Sequence, residues 1–521
     1  MITKAIKIPS PSELGMHIPS WRSGQEEAIN VIITSEKRVT ALCAPTGFGK
    51  SPVAVAAAIL SGVPTCIVTS TRGLQDQYLR DFAHLGMVDI RGRRNYNCNL
   101  KPNYTCEEGQ AARCPYKGTV ACRCSQAEMR AAASSLVVTN YAKWCAARRF
   151  GQGMDHFKQV IFDEGHEAPS ALANAMQVIL YTKEIEETLK LKFPVGLDSE
   201  DFSIWKRWCS GARIAANDAM IAAQARITGI PDPKPAWVRH FTHMRNLCRR
   251  LATLSTAAAK EWIVEQVEQG YQFDPIRPGR YGELALLLKV PRIIFVSATL
   301  RPKTLYMVGV SRADSEFKEF DSDFDPKRCP IYYIPTQRVD KRNPDNSLLW
   351  ARLDQIAATR RDRKGIIHTV SYARRDEITT TSRFSSDMLI NPKGEPPTEM
   401  ITAFKAAPPG TILVSPTVGT GYDFPGRDCE WQFLCKIPFE PPSKIVKARE
   451  ADDPEYRPYK SMQALVQTFG RGMRSKSDRC ENFIGDDHME WFRPRYAHLA
   501  PRSFHGFYRT VNTLPAAPEK L

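Results

Sequence analysis

The chain has 521 residues, 43% hydrophobic and 25% charged, with a formal net charge of +16. That length exceeds what one hydrophobic core fills, so roughly two to four domains are expected. No run approaches the ~18 apolar residues of a membrane span, and the opening stretch MITKAIKIPSPSELGMHIPS lacks an apolar signal core, so neither a membrane protein nor an exported one is expected. The positive excess suits a polyanionic partner such as nucleic acid, although solubility alone also accounts for it.

Short apolar runs alternate with longer helical stretches along the chain. That alternation predicts an α/β protein with parallel sheets. RVTALCAPT, TCIVTS, SSLVVTN, QVIFDE and RIIFVSATL form one group of predicted strands; GIIHTVS, GTILVSP and QFLCKIP form a second. The break between them falls soon after Leu300. Between them, WVRHFTHMRNLCRRL places Trp237, Phe241, Met244, Cys248 and Leu251 on one helical stripe. Arg239, Arg245, Arg249 and Arg250 fall largely off it, as a basic or simply solvated face.

The first chemical signal is Thr46-Gly47-Phe48-Gly49-Lys50-Ser51, between a predicted strand and an alanine-rich helix. Glycines let the backbone aim N–H groups at phosphate oxygens, and the helix start adds positive potential. Lys50 would reach the β and γ phosphates, and Ser51 would hold Mg²⁺. Ala44 replaces the first glycine of the general pattern. Next, QVIFDEGHEA ends a buried strand in two carboxylates. Asp163 can hold Mg²⁺, and Glu164 can polarise an attacking water. Far downstream, QALVQTFGRGMRSKSD places Gln467, Arg471 and Arg474 on one helix face. Two planar guanidiniums suit charge on a transferring phosphoryl group. An ATP-hydrolysing site shared between two domains is therefore expected.

Taken in order, these stretches resemble the superfamily 2 helicases, and more narrowly the iron–sulfur XPD/DinG family. WRSGQEEAI resembles the upstream adenine-reading element, with Arg22 and Gln25. TGFGKS resembles motif I, VTSTRGLQDQY motif Ia, DEGH a DEAH-type motif II and VSATL motif III. KGIIHTVSYARRDEI resembles motif IV, SPTVGTGYDFPG motif V and QTFGRGMR motif VI. The resemblance spans roughly residues 20–490 and places Asp423, in the motif V stretch, among the nucleotide-binding residues. It implies two RecA-like parallel-sheet domains with a cysteine-rich insertion and a helical arch-like insertion. On that basis residues 1–91, 136–169 and 286–305 are assigned to the first domain and 306–521 to the second. Residues 92–135 would be the iron–sulfur insertion and 170–285 the arch. The implied activity is ATP-driven 5′→3′ translocation on single-stranded DNA, with unwinding at DNA junctions. RNA as the track, a translocase that does not unwind, and an ATP-switched clamp stay open as alternatives. A cytoplasmic, nucleoid-associated monomer from a bacterium or a phage-infected host is expected.

Cys98, Cys106, Cys114, Cys122 and Cys124 crowd the insertion. In an unexported chain they read as thiols or metal ligands rather than disulfides. The resemblance implies that four of them hold a [4Fe–4S] cluster. RRNYNC ends at Cys98; Cys124 stands before Arg130 in the spacing of the family's last ligand, and Cys106 and Cys114 fall between. Cys122 is the alternate. Zinc is the other candidate, but structural zinc sites usually space cysteines C-x2–4-C, and most gaps here are longer. Arg91, Arg93, Arg94, Lys101, Arg113, Lys117 and Arg123 would suit phosphate contact there. Tyr96 and Tyr104 suit either base stacking or turn packing.

Overall fold

A computed structural model describes residues 6–101, 103–149, 154–194, 201–230, 233–340, 345–419 and 421–519. All eight predicted strands form. Five lie in a seven-stranded sheet and three in a second seven-stranded sheet. Every pairing within both sheets is parallel. The central strands are apolar on both faces because helices cover both sides. Val39–Cys43, Thr65–Thr69 and Gln159–Asp163 are buried throughout.

The expected boundary after residue 305 falls short. Strand Ser315–Glu319 pairs with Val39–Cys43 and forms an edge of the first sheet. Its sequence SEFKE alternates and carries charge, as an edge strand can, so it gives no buried-strand signal. Strands Ile331–Gln337, Glu481–Asp486, Met388–Ile390 and Tyr508–Thr510 complete the second sheet.

The cysteine-rich insertion leaves the first sheet after strand Val88–Asp89 and returns at Leu136–Asn140. It holds two short helices, Cys106–Ala111 and Arg123–Ala133. The first opens on a reciprocal cap between Thr105 and Glu108.

The second insertion is not purely helical. Helices Phe202–Ala225 and Pro235–Thr256 pack against an antiparallel sheet of Val178–Tyr181, Trp262–Val267 and Gly270–Pro275. Trp205, Leu247 and Phe273 lie in their shared core. The two insertions touch: Tyr104 Oη donates to Pro233 O at 2.9 Å, and Arg239 pairs with Glu108 at 2.7 Å. Among the described residues no helix is long and apolar enough to cross a membrane.

Candidate nucleotide and nucleic-acid site

In a parallel sheet, functional side chains gather where strands end and loops begin. Here Lys50, Ser70, Tyr141, Asp163 and Ser297 each follow or close a strand of the first sheet. Gly47 and Gly49 both adopt φ +79, in the left-handed region. A Cβ on Gly47 would strike the Phe324 ring, and one on Gly49 the Gln25 amide, so both positions need glycine. Arg22 and Gln25 brace this loop. Arg22 Nη1 donates to Gly47 O at 2.6 Å, and Gln25 Nε2 donates to Phe48 O at 2.8 Å. Thr46 faces the second lobe, where a Cβ on Gly470 would lie 2.8 Å from its hydroxyl.

A cavity of about 790 Å³ separates the lobes. Lys50, Ser51, Asp163 and Glu164 line one wall; Asp423, Gln467, Arg471 and Arg474 line the other. Asp163 is buried, and both its carboxylate oxygens are engaged. Oδ1 accepts from Glu164 N at 2.9 Å and Oδ2 from Tyr78 Oη at 3.0 Å. Burial, with the Glu164 charge beside it, pushes the Asp163 carboxyl up to about 6; Lys50 offsets part of this. Burial would raise Glu164 too, but the hydrogen bond from His166 and the charges of Lys50, His166 and Arg471 outweigh it. They hold Glu164 below the usual carboxylate range. Glu164 itself sits at φ +48, an unusual conformation for a non-glycine residue at a strand end.

A polar chain then crosses the cleft. His166 Nδ1 lies 2.7 Å from Ser297 Oγ and 3.3 Å from Glu164 Oε2. Ser297 Oγ accepts from Thr299 N at 3.3 Å. Gln467 Nε2 donates to Thr299 Oγ1 at 3.1 Å, and Gln467 Oε1 accepts from Arg471 at 3.4 Å. Asp423 pairs with both Arg471 and Arg474. His166, Ser297 and Thr299 were not singled out from the sequence. The signal available was the two stretches that hold them, DEGH and VSATL, which resemble motifs II and III.

A second cavity, about 770 Å³, lies between the first lobe and the two insertions. Among the described residues its lining carries Arg72, Arg93, Arg94, Lys143, Arg245, Arg249 and Arg250 against one acid, Glu107. Arg245, Arg249 and Arg250 of helix Pro235–Thr256 thus line this cavity, Arg250 being paired with Glu184, while Arg239 pairs with Glu108 outside it. Ser70, Ala142 and Ala146 line both cavities, so only a thin wall separates them. Arg91 is engaged elsewhere, by Asp76 and Asp89. Tyr104 is buried in the contact between the insertions and is not free to stack on bases, while the partly exposed Tyr96 accepts at Oη from Arg91 N at 3.0 Å.

Cys98, Cys106, Cys114 and Cys122 line one small cavity. Cys106 Sγ lies 3.8 Å from Cys122 Sγ, and Cys106 also hydrogen-bonds with Cys124. Cys98 and Cys114 form a second interacting pair. Among the described residues no three or more ligating side chains stand in metal-binding geometry. In donor chemistry the five thiols fit a thiolate-bound centre; in position Cys106 stands between Cys122 and Cys124, and Cys98 beside Cys114.

A cleft between two parallel-sheet lobes, with a glycine loop and two carboxylates on one wall and two arginines on the other, is built to hold a nucleoside triphosphate. Two family models match the chain: DEAD/DEAH box helicase over residues 22–188 and helicase C-terminal domain over residues 357–506. The chain thus carries the two domains of a DEAD/DEAH box helicase and is an ATP-dependent helicase. No curated protein matches it significantly in sequence. Among solved structures, an XPD helicase superposes with a TM-score of 0.64 at 15% identity, covering 95% of this chain and 100% of that one. An apo XPD gives 0.59 at 14%, covering 94% and 100%. Xpd4 from S. tokodaii gives 0.58 at 14%, also covering 94% and 100%. At these identities the likeness is one of fold.

Proposed function

We propose that the chain couples ATP hydrolysis to 5′→3′ translocation on single-stranded DNA and to duplex unwinding. The observation that carries this is the shared wall: a basic cavity sized for a polyanion touches the interlobe cavity through Ser70, Ala142 and Ala146. The polarity follows from the family resemblance alone.

The triphosphate lies against the glycine loop, with Lys50 on its terminal phosphates. Ser51 and Asp163 would hold magnesium, which would neutralise charge on the phosphate oxygens. Glu164, oriented by His166, accepts a proton from the attacking water. Arg471 and Arg474 leave Asp423 for the transferring phosphoryl group, whose charge their planar forks match. Gln467 keeps Arg471 in register with Thr299. The arginines, lysine and the nucleic-acid phosphates pair as counterions in the basic cavity. Both walls of the cleft come from one chain, so a monomer suffices.

We further propose that Cys98, Cys106, Cys114 and Cys124 hold a [4Fe–4S] cluster, with Cys122 as alternate ligand and zinc as the competing centre. Such a centre staples a small insertion that has little core of its own.

The test is ATP turnover with and without single-stranded DNA or RNA, followed by strand displacement from duplexes tailed at either the 5′ or the 3′ end. DNA-stimulated turnover, lost in Lys50→Ala, and displacement from the 5′ tail are expected. Turnover indifferent to nucleic acid, or stimulated by RNA alone, rejects the proposal. Iron and sulfide content after anaerobic purification, set against zinc, tests the cysteine assignment.

A further inference from the structure

Resting on the function just proposed, we propose that Tyr78 is a positioning residue that ties occupancy of the basic cavity to the magnesium ligands of the nucleotide site. Helix Arg72–Phe82 starts at the end of strand Thr65–Thr69. Its beginning, Ser70 and Arg72, lies on the wall of the basic cavity. Its middle, Leu74 and Gln77, lines the nucleotide cavity. Six residues beyond Arg72, about 9 Å along the axis, the buried Tyr78 hydroxyl donates to Asp163 Oδ2 at 3.0 Å. Ser51 lies near enough to that hydroxyl to interact with it. Tyr78 therefore holds one of the side chains assigned to magnesium and stands beside the other.

The helix is anchored to the same cavity at a second point. Gln75 Oε1 accepts from Asn140 Nδ2 at 3.2 Å, and Asn140 lines the basic cavity. The next residue, Tyr141, reaches the Asp163 backbone carbonyl at 3.4 Å, and Lys143, two further on, faces the cavity. Asp163 is thus gripped by two tyrosines, each carried on a helix whose first turn faces the polyanion site. A packing role alone needs no hydroxyl: phenylalanine fills the same space. A buried hydroxyl is costly unless hydrogen-bonded, and this one is bonded to Asp163. A phosphate drawn to Arg72 moves the helix as a rod, and the carboxylate moves with it.

Coupling between two ligands is reciprocal, which supplies a readout besides turnover. The affinity of a fluorescent oligothymidylate is measured by anisotropy, with and without magnesium and a non-hydrolysable ATP analogue. The affinity of a fluorescent form of that analogue is measured with and without the oligonucleotide. In the unaltered protein both experiments return the same coupling factor. Tyr78→Phe removes one hydrogen bond to a charged group and is expected to lower that factor roughly tenfold. Tyr141→Phe, whose contact is longer, lowers it less. Thermal melts check folding; if Tyr78→Phe does not fold, Tyr141→Phe and Arg72→Ala carry the test. Undiminished coupling in the folded variants overturns the role of Tyr78 and leaves the helicase proposal standing. Absence of oligonucleotide binding in the unaltered protein overturns both.

Discussion

Gln467 spans the cleft to Thr299, its side-chain amide donating to the threonine hydroxyl at 3.1 Å. The same amide group, through its oxygen, accepts from Arg471 at 3.4 Å. One side chain therefore reads the position of the first lobe and sets that of the arginine. Thr299→Val keeps the shape and removes the acceptor. Loss of one neutral hydrogen bond, about 1 kcal/mol, is expected to lower kcat for ATP about fivefold, with KM changed less than twofold. Steady-state kinetics with saturating single-stranded DNA checks the split.

Asp423 pairs with both Arg471 and Arg474. Its expected place was among the nucleotide-binding residues. Arg471→Ala is expected to lower kcat by at least about 10³-fold while binding of a fluorescent ATP analogue stays within a few-fold. Asp423→Ala releases both arginines, and turnover without nucleic acid is expected to rise. A weaker ATP affinity with unchanged basal turnover would instead assign Asp423 to the nucleotide.

Arg72 and Arg245 line the basic cavity from two different parts of the chain. If each neutralises one phosphate, each alanine variant flattens the plot of log K against log salt by about 0.7. Oligonucleotide binding across a range of salt concentrations measures this. The loss is expected to be the same for every base sequence, because phosphate contacts carry no sequence information.

His368 is buried, with Nε2 2.8 Å from Gln432 Oε1. Burial pushes its imidazole down to about 4, with the Arg471 charge adding to the effect. The unfolded chain binds the proton more readily between that value and the ordinary 6.5, so stability is fully present above about 6.5. It is lost as pH falls toward 4, by on the order of 3 kcal/mol. Denaturant melts from pH 7 to pH 4.5 are expected to show this decline. His368→Gln, which keeps an amide donor toward Gln432, flattens it.

Strong local signals carried much of the architecture. Runs such as VTALC and QVIFD announced themselves because a strand covered on both faces is apolar at every position. SEFKE did not, because an edge strand answers to water as well as to the core, and so the first lobe extends past its expected limit. The arch held a hidden antiparallel sheet for a related reason: WIVEQV is mostly half-buried, and GYQFDP buries polar Asp274 beside Tyr271 and Phe273, so neither reads as an apolar run.

The sequence by itself determined the local chemistry. Gly47 and Gly49 must be glycine for backbone reasons, Lys50 must open a helix, and Asp163 must end a buried strand; each follows from residues within one turn or one strand. Only the tertiary structure decided what those groups face. That Asp423 holds both arginines, that Gln467 meets Thr299 and that Tyr78 meets Asp163 depends on strand order and helix docking. Those are set by packing summed over each whole lobe, and no short stretch of chain encodes them.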